Sequence, residues 1–264
     1  MENVLKKIIE QKKISIVRYK KDYSENYLLN NISTTLDFFD FTKKMKLRYE
    51  ENKLSIIAEI KKASPSAGLL VKKFDCIDIA KTYSENGVSF LSVLTEEDFF
   101  LGKLDFIKNI KKNVKIPILC KDFFIDTYQI PLAKNYGADC ILIILSAVDK
   151  ELAKDLYQTA LNLKMSVLIE VHTEKECEFA LSFEDSMIGI NNRNLKTLDI
   201  SLDTSVKLYK VLKDHKNPLI SESGIHSSND IKFITENTKI KSFLIGESLL
   251  TSEDIPSKLR DLIK

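Results

Sequence analysis

The segment Ser55–Gly68 reads SIIAEIKKASPSAG, and it combines an apolar strand signal with a run of polar groups. The apolar start is long enough for a buried strand and too short for a core helix. Glu59 and Lys61 stand two residues apart, so on a strand they point to the same side. Because an unpaired buried charge is costly, we expect both at the strand's carboxyl end, over a cavity for a polar ligand. A surface ion pair at a strand end is the alternative.

Strand-like and helix-like segments alternate through the rest of the chain. The apolar, strand-like runs lie at residues 55–60, 89–94, 117–121, 140–145, 166–171, 187–191, 218–222 and 242–246. The charged segments with helical periodicity lie at residues 75–86, 103–112, 126–136, 149–164, 174–183, 203–213, 227–236 and 253–263. Eight strands that alternate with eight helices predict a closed (β/α)8 barrel of the α/β class rather than an open doubly wound sheet.

Residues 1–50 do not share this alternation. They are lysine-rich, and we predict that they form an N-terminal helical extension packed over one end of a barrel domain of residues 51–264. The apolar positions that support helices in this extension are Val4, Ile8, Ile9, Leu36, Phe38, Phe39 and Phe41. A free basic tail is the alternative, but the phenylalanines favour docking.

The composition of the 264 residues narrows the classes of partner. A formal net charge of +2 offers no electrostatic basis for binding nucleic acid or a membrane surface. The four cysteines have no metal-ligand spacing and the three histidines are scattered, so we expect no metal site. Because there is no signal peptide and no apolar run long enough to span a bilayer, we predict a cytoplasmic protein that binds a small molecule.

Polar side chains end most of the predicted strands, and the active sites of such barrels lie at the carboxyl ends of their strands. These groups are Glu59, Lys61, Lys121, Glu170, Asn191, Arg193 and Glu222. For one such group a structural ion pair is the simpler explanation. Convergence of all of them favours a functional site.

Glycines and phenylalanines complete the candidate site. Gly224 and Gly246 follow the last two predicted strands, where barrels of this type bind phosphate through backbone N–H groups. The phenylalanines after the second and third strands suit the wall of a pocket for an aromatic substrate, with core or lid packing as the alternative. These residues are Phe99, Phe100, Phe123 and Phe124.

Around these residues the chain resembles the indole-3-glycerol-phosphate synthase family, the barrel enzymes of tryptophan biosynthesis. The matching segments are IIAEIKKASPSAG (56–68), LSVLTEEDFFLG (91–102), PILCKDFFIDTYQI (117–130), LIEVHTEKE (168–176), IGINNRNLKTLDISLDTS (188–205), ISESGI (220–225) and FLIGESLL (243–250). They occur in order and cover most of residues 53–264, so their combination is highly specific. The helical extension before the first strand is also similar to that family.

The resemblance implies a carboxy-lyase that converts 1-(2-carboxyphenylamino)-1-deoxyribulose 5-phosphate to indole-3-glycerol phosphate, with release of CO2 and water. It implies that Lys121 is the general acid and Glu170 the general base. The polar residues implied around them are Glu59, Lys61, Asn191 and Glu222. The implied contacts to substrate and phosphate are Ser64, Phe100, Phe123, Arg193, Ser223, Gly224, Gly246 and Glu247. We also expect a monomer.

The sequence departs from the family pattern at two positions. Cys120 stands where an arginine commonly precedes the lysine of the KDF motif, and Ala67 stands where a lysine is usual. Adjacent strand residues face opposite ways, so Cys120 should not disturb Lys121. Ala67 makes the rim of the phosphate loop slightly less basic.

The implied chemistry needs these groups. Ring closure turns a ketone into a hydroxyl, and a positioned ammonium protonates or stabilises the oxygen. Loss of CO2 uses the cyclised iminium as its electron sink, so we expect no cofactor and no metal. Dehydration needs a base and an acid, which a glutamate and two lysines supply, although the sequence leaves open which lysine serves which step.

Two other functions compete with this interpretation. A sugar-phosphate isomerase of the same barrel class would use a carboxylate with a second carboxylate or a cysteine, and not two lysines. A barrel kept as a binding or scaffold protein would tolerate the loss of some polar strand ends. In this sequence each of those strand ends keeps its polar residue.

Overall fold

Eight parallel strands close into a barrel in the computed structural model, which describes residues 4–32, 36–195 and 197–263. In chain order β1 to β8 are Ser55–Ile60, Phe90–Leu94, Ile118–Lys121, Cys140–Ile144, Ser166–Val171, Met187–Asn191, Leu219–Glu222 and Ser242–Ile245. Each strand pairs with the next, and β8 closes the barrel on β1, where Ala58 lies opposite Ile245. The predicted (β/α)8 barrel is confirmed.

Helices follow the barrel strands at the predicted places. In the described ranges α1 to α12 are Val4–Asp22, Glu25–Asn30, Phe41–Glu50, Cys76–Glu85, Leu104–Asn113, Gln129–Asn135, Lys150–Asn162, Glu174–Ala180, Asp203–Leu212, Ser228–Asn237, Glu247–Leu250 and Ile255–Ile263. The four-residue α11 was not predicted, because a single turn carries no periodic signal. Among the described helices, none has the length and apolarity that crossing a bilayer requires.

Alternation along each strand determines which side chains face the barrel interior. In β5, Leu168 belongs to the interior apolar cluster, and Glu170 stands two residues further along. In three other strands a charged residue also follows an interior apolar residue by two positions. The pairs are Ile57 and Glu59, Leu119 and Lys121, and Ile220 and Glu222. The charged groups therefore continue the interior rows at the carboxyl end, as expected of side chains with a period of two.

The N-terminal helices contact both ends of the barrel, whereas contact with one end was expected. At the carboxyl end, Lys12 of α1 forms a buried ion pair with Asp122, 2.6 Å from Nζ to Oδ1. At the amino end, Phe41 and Met45 of α3 pack into the interior cluster, and both are fully buried. The backbone N–H of Thr42 donates to a strand residue there, the Ser166 hydroxyl, at 3.1 Å.

The helix prediction was wrong for Leu36, Phe38 and Phe39. These residues lie in a non-helical segment before α3, which begins at Phe41. The backbone N–H of Phe39 donates to the Asp139 carboxylate at 2.7 Å, which holds the segment against the barrel. A tertiary contact thus overrides the helical spacing of the apolar residues.

Replacing Phe41 with alanine is expected to lower the free energy of unfolding by about 3–5 kcal/mol. The ring is fully buried and its centroid lies 4.6 Å from that of Phe90, so truncation leaves a cavity at the amino end of the barrel. Leu47→Ala on the same helix is the control, because that side chain is 50% exposed. Urea denaturation measures both variants, and equal losses would contradict this role of Phe41.

Candidate active site

A cavity of about 420 Å³ opens at the carboxyl end of the barrel, within the usual size range of small-molecule sites. Every catalytic or substrate-binding residue implied by the family resemblance borders it. They are Glu59, Lys61, Ser64, Phe100, Lys121, Phe123, Glu170, Asn191, Arg193, Glu222, Ser223, Gly224, Gly246 and Glu247. The fold therefore brings together side chains that are far apart in the sequence.

Lys121 lies at the centre of the site, between two carboxylates. Its Nζ is 2.9 Å from Oε2 of Glu170 and 2.6 Å from Oε2 of Glu222. Burial opposes a charge on Lys121, but the negative charges of Glu170 and Glu222 outweigh that effect and hold its pKa well above the usual range. The lysine is therefore an ammonium, and its N–H groups donate to the Glu170 and Glu222 carboxylates at the cavity.

The two carboxylates beside Lys121 have pKa values displaced in opposite directions. Desolvation raises the pKa of both. At Glu170 the charges of Lys121 and His172 and a hydrogen bond from Asn191 outweigh it, so the pKa falls. At Glu222 desolvation and repulsion from Glu170 outweigh Lys121, so the pKa rises to about 7. Such a divergence leaves Glu170 ionised and able to accept a proton.

Glu222→Gln is expected to reduce the pH dependence of stability. Because the pKa of Glu222 is about 7 in the folded protein against an ordinary 4.5, the unfolded chain ionises first as the pH rises. The folded state therefore loses stability between about pH 4.5 and about pH 7. Glutamine does not titrate, so the Tm of the variant should fall less over that interval than the Tm of the wild type.

Thermal unfolding across this pH range checks the expectation, with Glu178→Gln as a control at an exposed position of α8. The control should follow the wild-type curve. A Glu222→Gln curve parallel to the wild type would mean that Glu222 does not titrate near neutral pH.

Asn191 connects Glu170 to the turn after β7. Its amide nitrogen donates to Oε1 of Glu170 at 3.0 Å, and its amide oxygen accepts from the Ser223 hydroxyl at 2.9 Å. Ser223 and Gly224 both have a positive φ, 67° and 83°, so the chain turns sharply there. This turn directs the Ser223 hydroxyl back towards β6, which fixes the Asn191 amide with its N–H towards Glu170.

Two glycines provide the space that the carboxylates occupy. A Cβ atom on Gly189 would collide with Oε1 of Glu222, and one on Gly246 would lie 2.5 Å from Oε1 of Glu59. Gly246, predicted as a phosphate contact, is therefore also required for the position of Glu59.

Lys61 pairs with Glu59, with 2.8 Å between Nζ and Oε1. The cationic groups that lower the pKa of Glu170 are Lys121 and His172. Along β1, Lys61 follows Glu59 on the same side, so the local pair forms in preference to a contact across the barrel.

Phe100 and Phe123 form an aromatic wall, with ring centroids 6.2 Å apart. Phe124 instead packs in the core layer between strands and helices, and Phe99 does not border the cavity. Buried Glu96, which sequence analysis missed, accepts the backbone N–H groups of Phe99 at 2.7 Å and Phe100 at 3.0 Å. This carboxylate shapes the loop that carries Phe100.

The rim of the cavity holds the residues predicted to bind phosphate. The guanidinium of Arg193 lies 3.8 Å from the Glu247 carboxylate, and both groups reach solvent. The Ser64 hydroxyl accepts the backbone N–H of Ala67 at 3.1 Å, which stabilises the loop after β1. The site thus has a charged, buried centre and a more exposed polar rim.

Three side chains of α1 also border the cavity, Val4, Leu5 and Ile8. Helical spacing predicted an apolar face here but gave no sign of what that face covers. His172 was missed too, although its position two residues after Glu170 placed it on the same side of the chain.

A sequence model of the family described as indole-3-glycerol phosphate synthase matches residues 5–262. The chain belongs to this family. The family prediction made from the sequence motifs is confirmed, and the match extends through the N-terminal helices as well as the barrel.

Curated indole-3-glycerol phosphate synthases align over nearly the full chain. The enzyme of Polaromonas sp. strain JS666 is 40% identical over 255 residues, which is 96% of each chain. That of Ruminiclostridium cellulolyticum is 39% identical over 261 residues, 98% of each chain. Among solved structures, a phosphoribosylanthranilate isomerase of Thermotoga maritima has a TM-score of 0.57 at 10% identity, over 80% of this chain and 96% of that one. This last similarity concerns the fold alone.

Proposed function

We propose that the protein catalyses the indole-3-glycerol phosphate synthase reaction at this cavity. Its substrate is 1-(2-carboxyphenylamino)-1-deoxyribulose 5-phosphate, and the products are indole-3-glycerol phosphate, CO2 and water. The observation that carries the proposal is the buried Lys121 ammonium between Glu170 and Glu222, in a chain of this family. No step requires a metal or an organic cofactor.

Ring closure needs an acid at the ketone oxygen of the substrate. Lys121 suits this role, because its raised pKa keeps it protonated and it lies at the base of the cavity. The aryl ring of the substrate fits between Lys121 and the wall formed by Phe100 and Phe123. As the new C–C bond forms, negative charge grows on the ketone oxygen, and the ammonium stabilises it before donating a proton.

Decarboxylation and dehydration follow on the cyclised intermediate. The CO2 leaves as the aromatic ring is restored, with the cyclised iminium accepting the electron pair. Glu170, kept ionised by Lys121, then removes a proton from the intermediate while the hydroxyl leaves as water. Lys61, which borders the cavity in its pair with Glu59, is the second available acid.

Phosphate binding is assigned to the rim. Arg193→Ala is expected to raise KM more than it lowers kcat, since a group that holds the phosphate equally in ground and transition states changes binding alone. Inorganic phosphate should compete with the substrate in the wild type and compete less well in the variant. Steady-state kinetics measure both effects. A fall in kcat at unchanged KM would contradict the assignment.

The reaction itself is tested by mixing the protein with the anilino-ribulose phosphate and following indole fluorescence. Appearance of the indole signal together with loss of the substrate supports the proposal. Conversion without an indole product would instead indicate an isomerase, and no conversion would indicate a binding protein.

We further propose that residues 1–50 are an extension packed on a barrel domain of residues 51–264, and that the protein acts as a cytoplasmic monomer. The contacts of α1 and α3 with the barrel support the first point. The four cysteines, which are all free and buried, suit a reducing compartment.

A further inference from the structure

His172 lies partly buried between two carboxylates, next to Glu170 and outside the lining of the cavity. Its Nε2 is 3.4 Å from Oε1 of Glu170, and its Nδ1 is 3.6 Å from Oε2 of Glu176. Neither ring nitrogen has a hydrogen-bond partner among the described atoms. The imidazole thus stands within about 0.5 Å of hydrogen-bond distance to an acceptor on each side.

This arrangement differs from that of a histidine with a purely structural role, whose ring nitrogens are hydrogen-bonded. Buried polar groups are normally hydrogen-bonded, because an unsatisfied one is costly. His215, also partly buried, follows that rule, since its Nε2 lies 2.8 Å from the Ser186 carbonyl oxygen. A buried imidazole with both nitrogens short of a partner, aligned between an active-site carboxylate and a second carboxylate, fits a group that exchanges protons.

The proposed reaction, on which this inference rests, consumes a proton in each turnover. The ketone oxygen leaves as water and so takes up two protons. The substrate gives up one of them during dehydration, and its carboxylate leaves as neutral CO2. The second proton must come from solvent. His172 and Glu176 do not border the cavity, so a route through them remains available when the substrate fills it.

We propose that Glu176 and His172 carry this proton from solvent to the Glu170–Lys121 pair. Glu176 is at the start of α8 with 21% of its side chain exposed, and it takes the proton from water. Nδ1 of His172 accepts it while the Nε2–H bond breaks and an O–H bond forms at Oε1 of Glu170. Rotation of the Glu170 carboxyl group places this O–H at the position of Oε2, 2.9 Å from Nζ of Lys121, and the O–H bond breaks as an N–H bond forms on the lysine amine that has given its proton to the substrate. Between turnovers, Nε2 takes up a proton from water and Nδ1 returns its proton to Glu176 and so to water, which restores the starting tautomer with no net change in protons.

The charges around His172 suit this role. The ionisable groups that face it are Glu170 on β5, Glu176 on α8 and Glu222 on β7. Burial lowers the pKa of His172, but these carboxylates outweigh burial and raise it above the usual range. The three carboxylates therefore stabilise the positive charge that the imidazole carries while one proton enters at Nδ1 and another leaves from Nε2.

The test compares His172→Gln and Glu176→Gln with the wild type, at low buffer and with added imidazole as a diffusible proton carrier. Glutamine cannot relay a proton, and at position 176 it still offers an acceptor for the His172 backbone N–H, which donates to Glu176 at 2.6 Å. We expect kcat of His172→Gln to fall by roughly 10²-fold at low buffer, with KM unchanged and recovery on adding imidazole. Glu176→Gln should show a smaller loss with the same recovery.

His215→Gln is the matched control, because it makes the same substitution at another partly buried histidine. It should keep the wild-type kcat in both buffers. A His172→Gln loss that imidazole does not restore, or full activity of both relay variants at low buffer, would overturn the proposal. If His172→Gln does not fold, Glu176→Gln decides alone by the same criterion. Wild-type turnover in the same assay tests the reaction itself, so a loss confined to the variants concerns only the relay.

Discussion

Lys121→Met should lower kcat by roughly 10²–10⁴-fold, the usual contribution of a catalytic proton transfer. Methionine fills a similar volume but carries no charge and no proton. Without the ammonium, nothing at that position stabilises the ketone oxygen during ring closure, and Glu170 and Glu222 are left facing one another. KM should change far less, since the help of Lys121 is greatest in the transition state.

Single-turnover measurement of indole formation checks this expectation. Lys154→Met on α7 is the matched control, because that side chain is 56% exposed and lies away from the cavity. The control should behave like the wild type. Turnover of Lys121→Met within a few-fold of wild type would remove Lys121 from the proposed role. Thermal unfolding of each variant separates a catalytic loss from a folding defect.

Glu170→Gln should slow indole formation by a similar factor, roughly 10²–10⁴-fold, while CO2 is still released. Glutamine keeps the shape and can still accept the hydrogen bond that Asn191 donates to Glu170 at 3.0 Å. It cannot accept the proton removed during dehydration. The cyclised, decarboxylated intermediate should therefore accumulate in a single turnover.

Substrate labelled at the carboxyl carbon distinguishes the steps, because label release reports decarboxylation and fluorescence reports indole formation. The exposed Glu178→Gln variant serves again as the control. If label release and fluorescence slow together in Glu170→Gln and no intermediate accumulates, Glu170 acts before decarboxylation or only through its charge.

The barrel could be predicted from the sequence because its signals are local. Each strand, such as Ser166–Val171, is a short apolar run, and several of the helices begin at a side chain that caps the N-terminus, as Asp149 does for α7. The prediction failed at Leu36 to Phe39, where a contact with Asp139 decides the backbone. It also missed α11, which is too short to carry a periodic pattern.

The inward-facing residues at strand ends were predictable because alternation fixes the side of each residue and a closed barrel makes those sides converge. Their pairing was not predictable. Whether Lys61 reaches Glu170 or remains with Glu59 depends on distances across the barrel, and the structure places it 2.8 Å from Glu59. Val4 and Ile8 border the cavity because of where α1 docks, and helical spacing does not specify that position.

We propose that this cavity carries out ring closure, decarboxylation and dehydration on one substrate. The most direct test is to incubate the wild-type protein with the anilino-ribulose phosphate labelled with carbon-13 at its carboxyl group. We expect labelled CO2 and indole-3-glycerol phosphate in equal amounts, with both activities lost in Lys121→Met. Consumption of the substrate without labelled CO2, or labelled CO2 that persists undiminished in Lys121→Met, would contradict it.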